Sequence, residues 1–400
     1  MLTSVAEAEK IIARHARSWG TEQLPLLESR GCILREALYA DRDFPPFDRV
    51  TMDGIAIRFE RFAAGQRRFP VAGIQAAGAP PLRLTDPANC LEVMTGAMLP
   101  EGVDTVIRYE ELRLENGQAE LLTEDINFRQ NLHFQGTDRR KGELLVPAGR
   151  QIAAPEIATA ATVGQSSLLV ARRPRVAIVS TGDELVGLTE TPLPHQIRRS
   201  NAYALQAMLA EEFHIAGQLF HFADDKLQIA EGLREILACF DVVVLSGAVS
   251  AGKFDFVPEV LEELGVEKCF HQVAQRPGKP FWFGHFREQA VVFALPGNPV
   301  STFLCAWRYL VPFLRQSLGQ EEQAPLLAVL SQDVIFKPQL SYFLPVQVRS
   351  TAEGARLAVP VPGQGSGDLA NLNDADAFLE LPKGQDLYPA GTAFSLIPYR

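Results

Sequence analysis

No stretch of this chain approaches about 20 consecutive apolar residues, so no segment reads as a bilayer-spanning helix. Cysteine is sparse. Cys32, Cys90, Cys239, Cys269 and Cys305 are scattered, odd in number and never at CxxC spacing. Such a set implies reduced thiols rather than a disulfide framework, and a cytoplasmic setting. Positive charge is also short. With 38 Lys and Arg against 48 Asp and Glu, the formal net charge is −10. That balance argues against nucleic acid and anionic membrane as partners, yet a local pocket can still take an anionic small ligand. There is no GxxxxGK[ST] loop, HExxH helix or GxSxG elbow, and the seven histidines show no metal-ligand spacing. The opening "MLTSVAEAEKIIARHARSW" is amphipathic and lacks the apolar core of a secretory signal.

What is present is globular: 47% apolar and 22% charged residues over 400 positions, enough for a sizeable core. The length predicts about two to four domains. Residues 4 to 19 carry apolar side chains at helical spacing, and Ser4 stands three residues before Glu7 as in a capping box. From about 55 to 150, short β-like runs such as "GIAIR", "CLEVMTG" and "DTVIRYEEL" alternate with Gly and Pro turns. "APEIATAATVG" returns to helix, with Pro155 in its first turn and Gly164 as its stop. After "ARRPRVAIVSTGDEL" the texture changes. "RVAIVS", "IAGQLFHFADD", "DVVVLS" and "QAVVFALPG" read as strands. Between and after them lie the helices "SNAYALQAMLAEEF", capped by Ser200 or Asn201, "KLQIAEGLREILACF", "FVPEVLEELG" and the long "PVSTFLCAWRYLVPFLRQSL". This alternation predicts a parallel sheet with helices on both faces. Beyond about 322 the pattern is again short strands and turns.

In an open parallel sheet, ligands bind outside the carboxyl ends of the strands. Three loops leave such ends: "STGDEL" (180–185), "SGAVSAGKFDF" (246–256) and "LPGNPVS" (295–301). Helix N-termini beyond them offer free N–H groups to an oxyanion. The second loop carries Ser246, Gly247, Ser250, Lys253 and Asp255; the third carries Pro296 and Pro299. Turn chemistry alone also favours Gly, Ser, Asn and Pro in such places, so the convergence of three loops is what matters. "QRPGKPFWFG" sets Arg276 and Lys279 on either side of a Pro-Gly turn, where they can face one anion or form a solvated hairpin tip. Asp224 and Asp225 precede a helix as capping residues do. In the β-rich part, Asp53, Thr95 and Asp138 stand at turns, the last beside the basic run Arg139, Arg140, Lys141.

Taken in order, these stretches resemble the MoeA-type molybdopterin molybdenumtransferases, the family that includes the E domain of gephyrin. "FPPFDRVTMDGIAIR" is similar to the family's PxFDNSAMDGYAVR, and "MTGAMLPEGVDTVIRYEE" to its TGAxxPxGADAVVxxE. "VAIVSTGDELV", "SGAVSAGKFDF", "RPGKPFWFG" and "ALPGNPVSTF" resemble four further signatures, so the likeness runs along essentially the whole chain. It implies a multidomain α/β plus β fold. Its parts would be a discontinuous helical linker domain (1–44 and 140–173), a β-rich insert domain (45–139), a three-layer α/β/α parallel-sheet domain like the molybdopterin adenylyltransferases (174–320) and a C-terminal β-barrel-like domain (321–400).

The resemblance also implies a reaction. Adenylylated molybdopterin and molybdate are the substrates, AMP is released, and Mg²⁺ assists. Carried over by position, the catalytic set is Asp53, Thr95, Asp138, Glu184, Asp224 and Asp255. The substrate-binding set is Ser246, Gly247, Ser250, Arg276, Lys279, Pro296, Pro299 and Ser366, the last in the turn "GQGSGD". Glu184 and Asp255 are the expected Mg²⁺ ligands, hard oxygen donors as that ion prefers. Arg276 offers a planar fork and Lys279 a point charge to phosphate or molybdate oxygens. The resemblance further implies a homodimer, with molybdopterin adenylyltransferase and molybdoenzyme maturation proteins as candidate partners.

Four departures stand out: Ala248 replaces a glycine, Arg49 and Val50 replace Asn and Ser, Arg199 replaces an acid, and Arg276 replaces a lysine. Arg49 and Arg199 are expected to add charge near the anionic substrate. The alternative is a non-catalytic molybdopterin-binding or scaffold paralogue of the same fold, which need not keep Asp53, Glu184 and Asp255.

Overall fold

The computed structural model describes residues 2–247, 256–321, 324–352, 354–363 and 365–400. Ser250, Lys253, Asp255 and the Ala248 substitution lie outside the described residues. The chain forms two compact units. One comprises Met1–Glu36, Ala148–Ile157 and Ser167–Arg400; the other comprises Ala37–Pro147 and Ala158–Ser166.

The first unit begins with helix α1 (Val5–Arg14), where Ser4 Oγ accepts the Glu7 N–H at 3.2 Å. Val5, Ala8 and Ile12 recur on one face and are buried in the core. The expected helix to residue 19 is shorter: it stops at Arg14, and His15 caps its end.

The second unit carries a six-stranded sheet. Its strands are β1 (Gly54–Ile57), β2 (Arg68–Gln75), β3 (Cys90–Val93), β4 (Thr105–Arg108), β5 (Leu112–Glu115) and β6 (Gln118–Leu121), in the order β4-β1-β3-β2-β6-β5. β1 lies between β4 and β3 and is wholly buried. A Cβ on Gly54 would sit 1.9 Å from the Ile107 carbonyl oxygen, so only glycine permits the approach of β4 here.

In the first unit, the α/β part contains β7 (Val176–Thr181), α2 (Ser200–Phe213), β8 (Gln218–Phe222), α3 (Lys226–Cys239), β9 (Val242–Ser246), α4 (Val257–Glu263), β10 (Glu267–His271), β11 (Trp282–Phe286) and β12 (Ala290–Leu295). The sheet order is β8-β7-β9-β12-β11-β10. β8, β7, β9 and β12 are parallel, as the sequence predicts, and β11 and β10 extend them antiparallel. Alternate residues serve the two faces. Ile178, Val244 and Phe293 pack toward α2 and the helix after β12; Val179, Val243 and Val292 pack toward α3 and α4. Burying each such side chain contributes about 1.5–3 kcal/mol. β7 lies inside β8, so the strand order reverses there and opens a crevice at the carboxyl edge.

Two expected helices differ in detail. α2 is capped by Arg199, without a side-chain cap bond, rather than by Ser200 or Asn201. The run after β12 is not one regular helix. It is α5 (Pro299–Cys305), a π turn over Ala306–Leu310 and α6 (Val311–Ser317). Pro312 has no N–H for the carbonyl one turn back, which accounts for the widened turn.

The C-terminal part is a closed five-stranded barrel. It is built from β13 (Leu326–Leu330), β14 (Ser341–Ser350), β15 (Arg356–Pro360), β16 (Ala377–Leu381) and β17 (Ala393–Pro398), joined in the order β14-β15-β13-β17-β16 and closed by β14 pairing with β16. Arg308, with only 12% of its side chain exposed, ties three parts of this unit together. It meets Glu9 of α1 at 2.5 Å and Glu380 of β16 at 3.3 Å. Burial pushes the Glu380 carboxyl up, and Arg308 opposes that shift. Arg308→Met should therefore cost about 3–5 kcal/mol in urea unfolding, because it strands a buried carboxylate; adding Glu380→Gln should restore part of the loss.

Candidate ligand-binding edge and cleft

At the carboxyl edge of the sheet, the loop after β7 turns at Gly182 (φ +143°), and the exposed Glu184 side chain folds over it. A Cβ on Gly182 would lie 2.5 Å from Glu184 Oε2. The loop after β8 meets it. The Asp183 N–H donates to Asp224 Oδ2 at 3.4 Å, and the Asp224 N–H donates to Asp183 Oδ1 at 3.1 Å. Asp225, not Asp224, caps α3, with Oδ1 accepting the Gln228 N–H at 2.9 Å. The two aspartates thus divide: one caps a helix, the other faces the Glu184 loop.

After β9, Gly247 takes φ +106°, and a Cβ there would press on the Thr181 carbonyl at 3.1 Å. Its N–H donates to the Leu295 carbonyl at 3.2 Å, which draws the β9 and β12 loops together. Asn201 does the same from α2. Its amide nitrogen contacts Ser246 Oγ at 2.9 Å, the Gly297 carbonyl at 2.8 Å and Thr302 Oγ1 at 3.2 Å. Sequence reading offers Asn201 only as a helix cap. Pro296 and Pro299 frame the β12 loop. Thr302 Oγ1 donates to the Pro296 carbonyl at 2.5 Å, and Pro299 is the first residue of α5. Asn298 Nδ2 donates to Ser366 Oγ at 2.7 Å, and the Val300 N–H to the Ser366 carbonyl at 3.1 Å. Ser366 is thereby brought against "LPGNPVS".

The β12 loop and Ser366 border a cleft of about 890 Å³ lined by Arg276, Lys279, Pro296, Asn298, Tyr342 and Ser366, among others; Glu184, Asp224, Ser246 and Gly247 do not line it. The Arg276–Lys279 turn is no solvated hairpin tip. Gln275 and Arg276 pair with Ser341 and Tyr342 of β14. Gly278 (φ +87°) packs so that a Cβ would come within 2.7 Å of Cys305 Sγ. The fully buried Gln275 donates to the Pro277 carbonyl at 3.1 Å and accepts the Tyr309 hydroxyl. Arg276 and Lys279 are exposed, and neither forms an ion pair with a described residue. Arg276 lies over the Phe336 ring at 6.0 Å.

Asp53, Thr95 and Asp138 belong to the second unit. The Thr95 N–H donates to Asp53 Oδ1 at 2.6 Å. This bond first, and the Thr95 side chain second, hold the exposed Asp53 carboxyl below the usual value. Burial, then Glu92 and Asp53, push the nearby Tyr109 phenol up. Asp138 Oδ1 lies 2.8 Å from His133 Nε2, while Arg49 Nη2 lies 3.1 Å from His133 Nδ1. Arginine can only donate, so Nδ1 accepts and Nε2–H donates to Asp138. His133, which sequence reading passes over, thus links Asp138 to the divergent Arg49. Residues 132–133 pair with 49–50, and the Val50 N–H bonds the Ala97 carbonyl, so both acidic sites hang on the strand leading to β1. Arg199, the other added cation, is half-buried at the start of α2.

Two measurements follow. Asp53 has a lowered folded-state value, so the stabilisation from its bonds is present above the ordinary carboxylate range and is lost as pH falls through that lowered value. An NMR titration should place Asp53 below an ordinary aspartate, and Thr95→Ala, which keeps the N–H, should raise it only partway. Asn201→Ala leaves the Ser246, Gly297 and Thr302 oxygens without their shared donor, and should lower unfolding stability by about 1–3 kcal/mol.

Comparison with known proteins agrees with this architecture. Residues 3–164 match the family model of the MoeA N-terminal region (domain I and II), 177–316 that of a probable molybdopterin binding domain, and 328–399 that of the MoeA C-terminal region (domain IV). A molybdopterin molybdenumtransferase of Synechocystis sp. is 40% identical, covering 98% of this chain and 99% of its own; one of Bacillus subtilis is 31% identical, covering 99% and 94%. Two crystal structures of MoeA proteins from Pyrococcus horikoshii cover 100% of both chains, with TM-scores of 0.82 and 0.84 at 31% and 26% identity. Matched along nearly its whole length by such relatives, the chain belongs to the MoeA family of molybdopterin molybdenumtransferases.

Proposed function

We propose that this protein inserts molybdenum from molybdate into adenylylated molybdopterin and releases AMP, with the Arg276–Lys279 cleft as the seat for substrate oxyanions. The observation that carries this reading is the pair of cations on one turn, facing an open cleft and in no ion pair with a described residue. Cleaving a phosphoanhydride demands positioning and charge neutralisation more than covalent help from the protein. Arg276 is suited to clasp two oxygens at once, and Lys279 to add charge beside it. Asn298 and Ser366 close the same cleft with polar groups. Ser246 and Gly247 shape the neighbouring edge, where Gly247 keeps the backbone open to a close ligand.

In this reading Asp53, ionised through its Thr95 bonds, orders a water or a polar group of the pterin. Asp138 works through His133, and Asp224 supports the Glu184 loop. The divalent ion is Mg²⁺ in this proposal. Glu184 fits it as an exposed hard-oxygen donor at the ligand edge, since Mg²⁺ takes few protein carboxylates along with waters and substrate oxygens. When bound, the ion would neutralise charge on the phosphate oxygens. Asp255, the second expected ligand, lies outside the described residues. The active form is proposed to be a cytoplasmic homodimer that exchanges pterin intermediates with an adenylyltransferase and with molybdoenzyme maturation proteins. Among the described residues no helix is long and apolar enough to cross a membrane.

The reading is tested by incubating purified protein with adenylylated molybdopterin, molybdate and Mg²⁺. AMP should appear in proportion to molybdenum bound, and chelation should stop it. Lys279→Gln should lower kcat/KM by about 10–100-fold, and Asp53→Ala should abolish turnover while the protein stays folded, with only a small fall in melting temperature. No AMP with any divalent metal, together with pterin binding that persists, would instead favour the scaffold alternative.

A further inference from the structure

The five cysteines and seven histidines look dispersed in the sequence, yet the fold gathers three of them. One ligand atom from each of His15, Cys269 and His285 lies within 4.8 Å of the others, and all three residues are half-buried. His15 comes from the end of α1, Cys269 from β10 and His285 from β11. Cys269 Sγ stands 3.4 Å from His15 Nε2. The two imidazoles pack at 4.6 Å between centroids, tilted by 31°, with the Phe283 ring edge-on behind His15 at 5.6 Å. Cys269 is the extra residue of a bulge, where the β10–β11 register slips between Lys268 and Phe270. Glu267 pairs across from His285 and brings a carboxylate oxygen to 3.6 Å of its Nε2.

We propose that His15, Cys269 and His285 bind one zinc-class transition-metal ion that fastens the end of α1 to the outer hairpin of the sheet. Two imidazoles and a thiolate form a borderline-soft donor set, suited to Zn²⁺ and unsuited to Mg²⁺. Tetrahedral bonds of zinc length place ligand atoms about 3.4–3.6 Å apart. The Cys269–His15 distance already has that value, and rotation about the His285 side-chain bonds brings in the third ligand. Glu267 or a water completes the shell. Coordination takes the thiol as thiolate and releases its proton to solvent. Burial, with Glu267 adding to it, raises the Cys269 thiol, so the free thiol is protonated before the ion arrives.

This site is distinct from the oxyanion cleft. His285 pairs with Val291 near the start of β12, whereas the "LPGNPVS" loop leaves the end of that strand after Leu295. The two therefore occupy opposite edges of the sheet, and the metal proposal stands or falls independently of the transferase reading.

The test uses the full chain, stripped with chelator and titrated with Co²⁺. A thiolate-to-cobalt charge-transfer band and intense tetrahedral d–d bands should saturate at one equivalent and be displaced by Zn²⁺. Zn²⁺ alone should raise the melting temperature of the stripped protein. Cys269→Ser should erase the charge-transfer band, and His285→Gln should weaken binding by at least about tenfold. Cys239→Ser, which alters an exposed cysteine elsewhere, should change neither. Wild-type protein without the bands overturns the proposal, as does a charge-transfer band that survives Cys269→Ser or vanishes with Cys239→Ser. Co²⁺ held only by carboxylates gives weak octahedral bands with no thiolate transition, and that result alone also overturns it.

Discussion

The proposed ligand edge depends on one side-chain amide. Asn201, in the first turn of α2, reaches Ser246 at the end of β9, Gly297 in the loop after β12 and Thr302 inside α5. Loops of small residues have little packing of their own to hold them. A single donor shared among several acceptors from separate elements removes that freedom, provided its partners stay out of water. With this edge in place, a Cβ on Gly297 would lie 3.6 Å from the Gly247 Cα, and Ser366 docks through Asn298.

Gln275 plays the corresponding part on the other wall of the cleft. Fully buried, it holds the Pro277 carbonyl and the Tyr309 hydroxyl, which leaves Arg276 and Lys279 as the turn's outward groups. Both cations are exposed and form no ion pair with a described residue, so their charge is open to an anion in the cleft. Arg308 adds the wider brace, joining α1 and the barrel to the helix beneath the cleft. The proposed site in this unit is therefore braced by buried polar groups as well as by apolar packing.

Much of this was legible beforehand. The alternation of β-branched runs with amphipathic helices predicts the parallel strands, and the Gly-Pro-Asn turns mark where ligand loops leave them. Gly54, Gly247 and Gly278 stand where the backbone must turn or pass closely, and turn chemistry flags each of those stretches. The misses have local physical causes. Arg199 caps α2 without a side-chain bond, against the preference of Ser200 and Asn201. Pro312 widens a helix that hydropathy alone reads as continuous. Asp224 and Asp225 look equivalent in sequence, but only one has the backbone geometry to cap α3. His133 carries no motif, and its role arises from Arg49 and Asp138 meeting on either side of it.

Sequence by itself determined the kinds of element, the places where they stop and the residue types available for chemistry, because periodicity, capping and turn preference act over a few neighbouring positions. It also carried the family likeness, since the ordered signatures are local strings. Tertiary structure alone decided which of those residues meet. The closed barrel wall beside Arg276, the reciprocal Asp183–Asp224 bonds and the His15–Cys269–His285 cluster each join residues tens to hundreds of positions apart. Such meetings depend on strand order, register and a one-residue bulge, and these are set by how whole faces pack, a quantity that no short window of sequence contains.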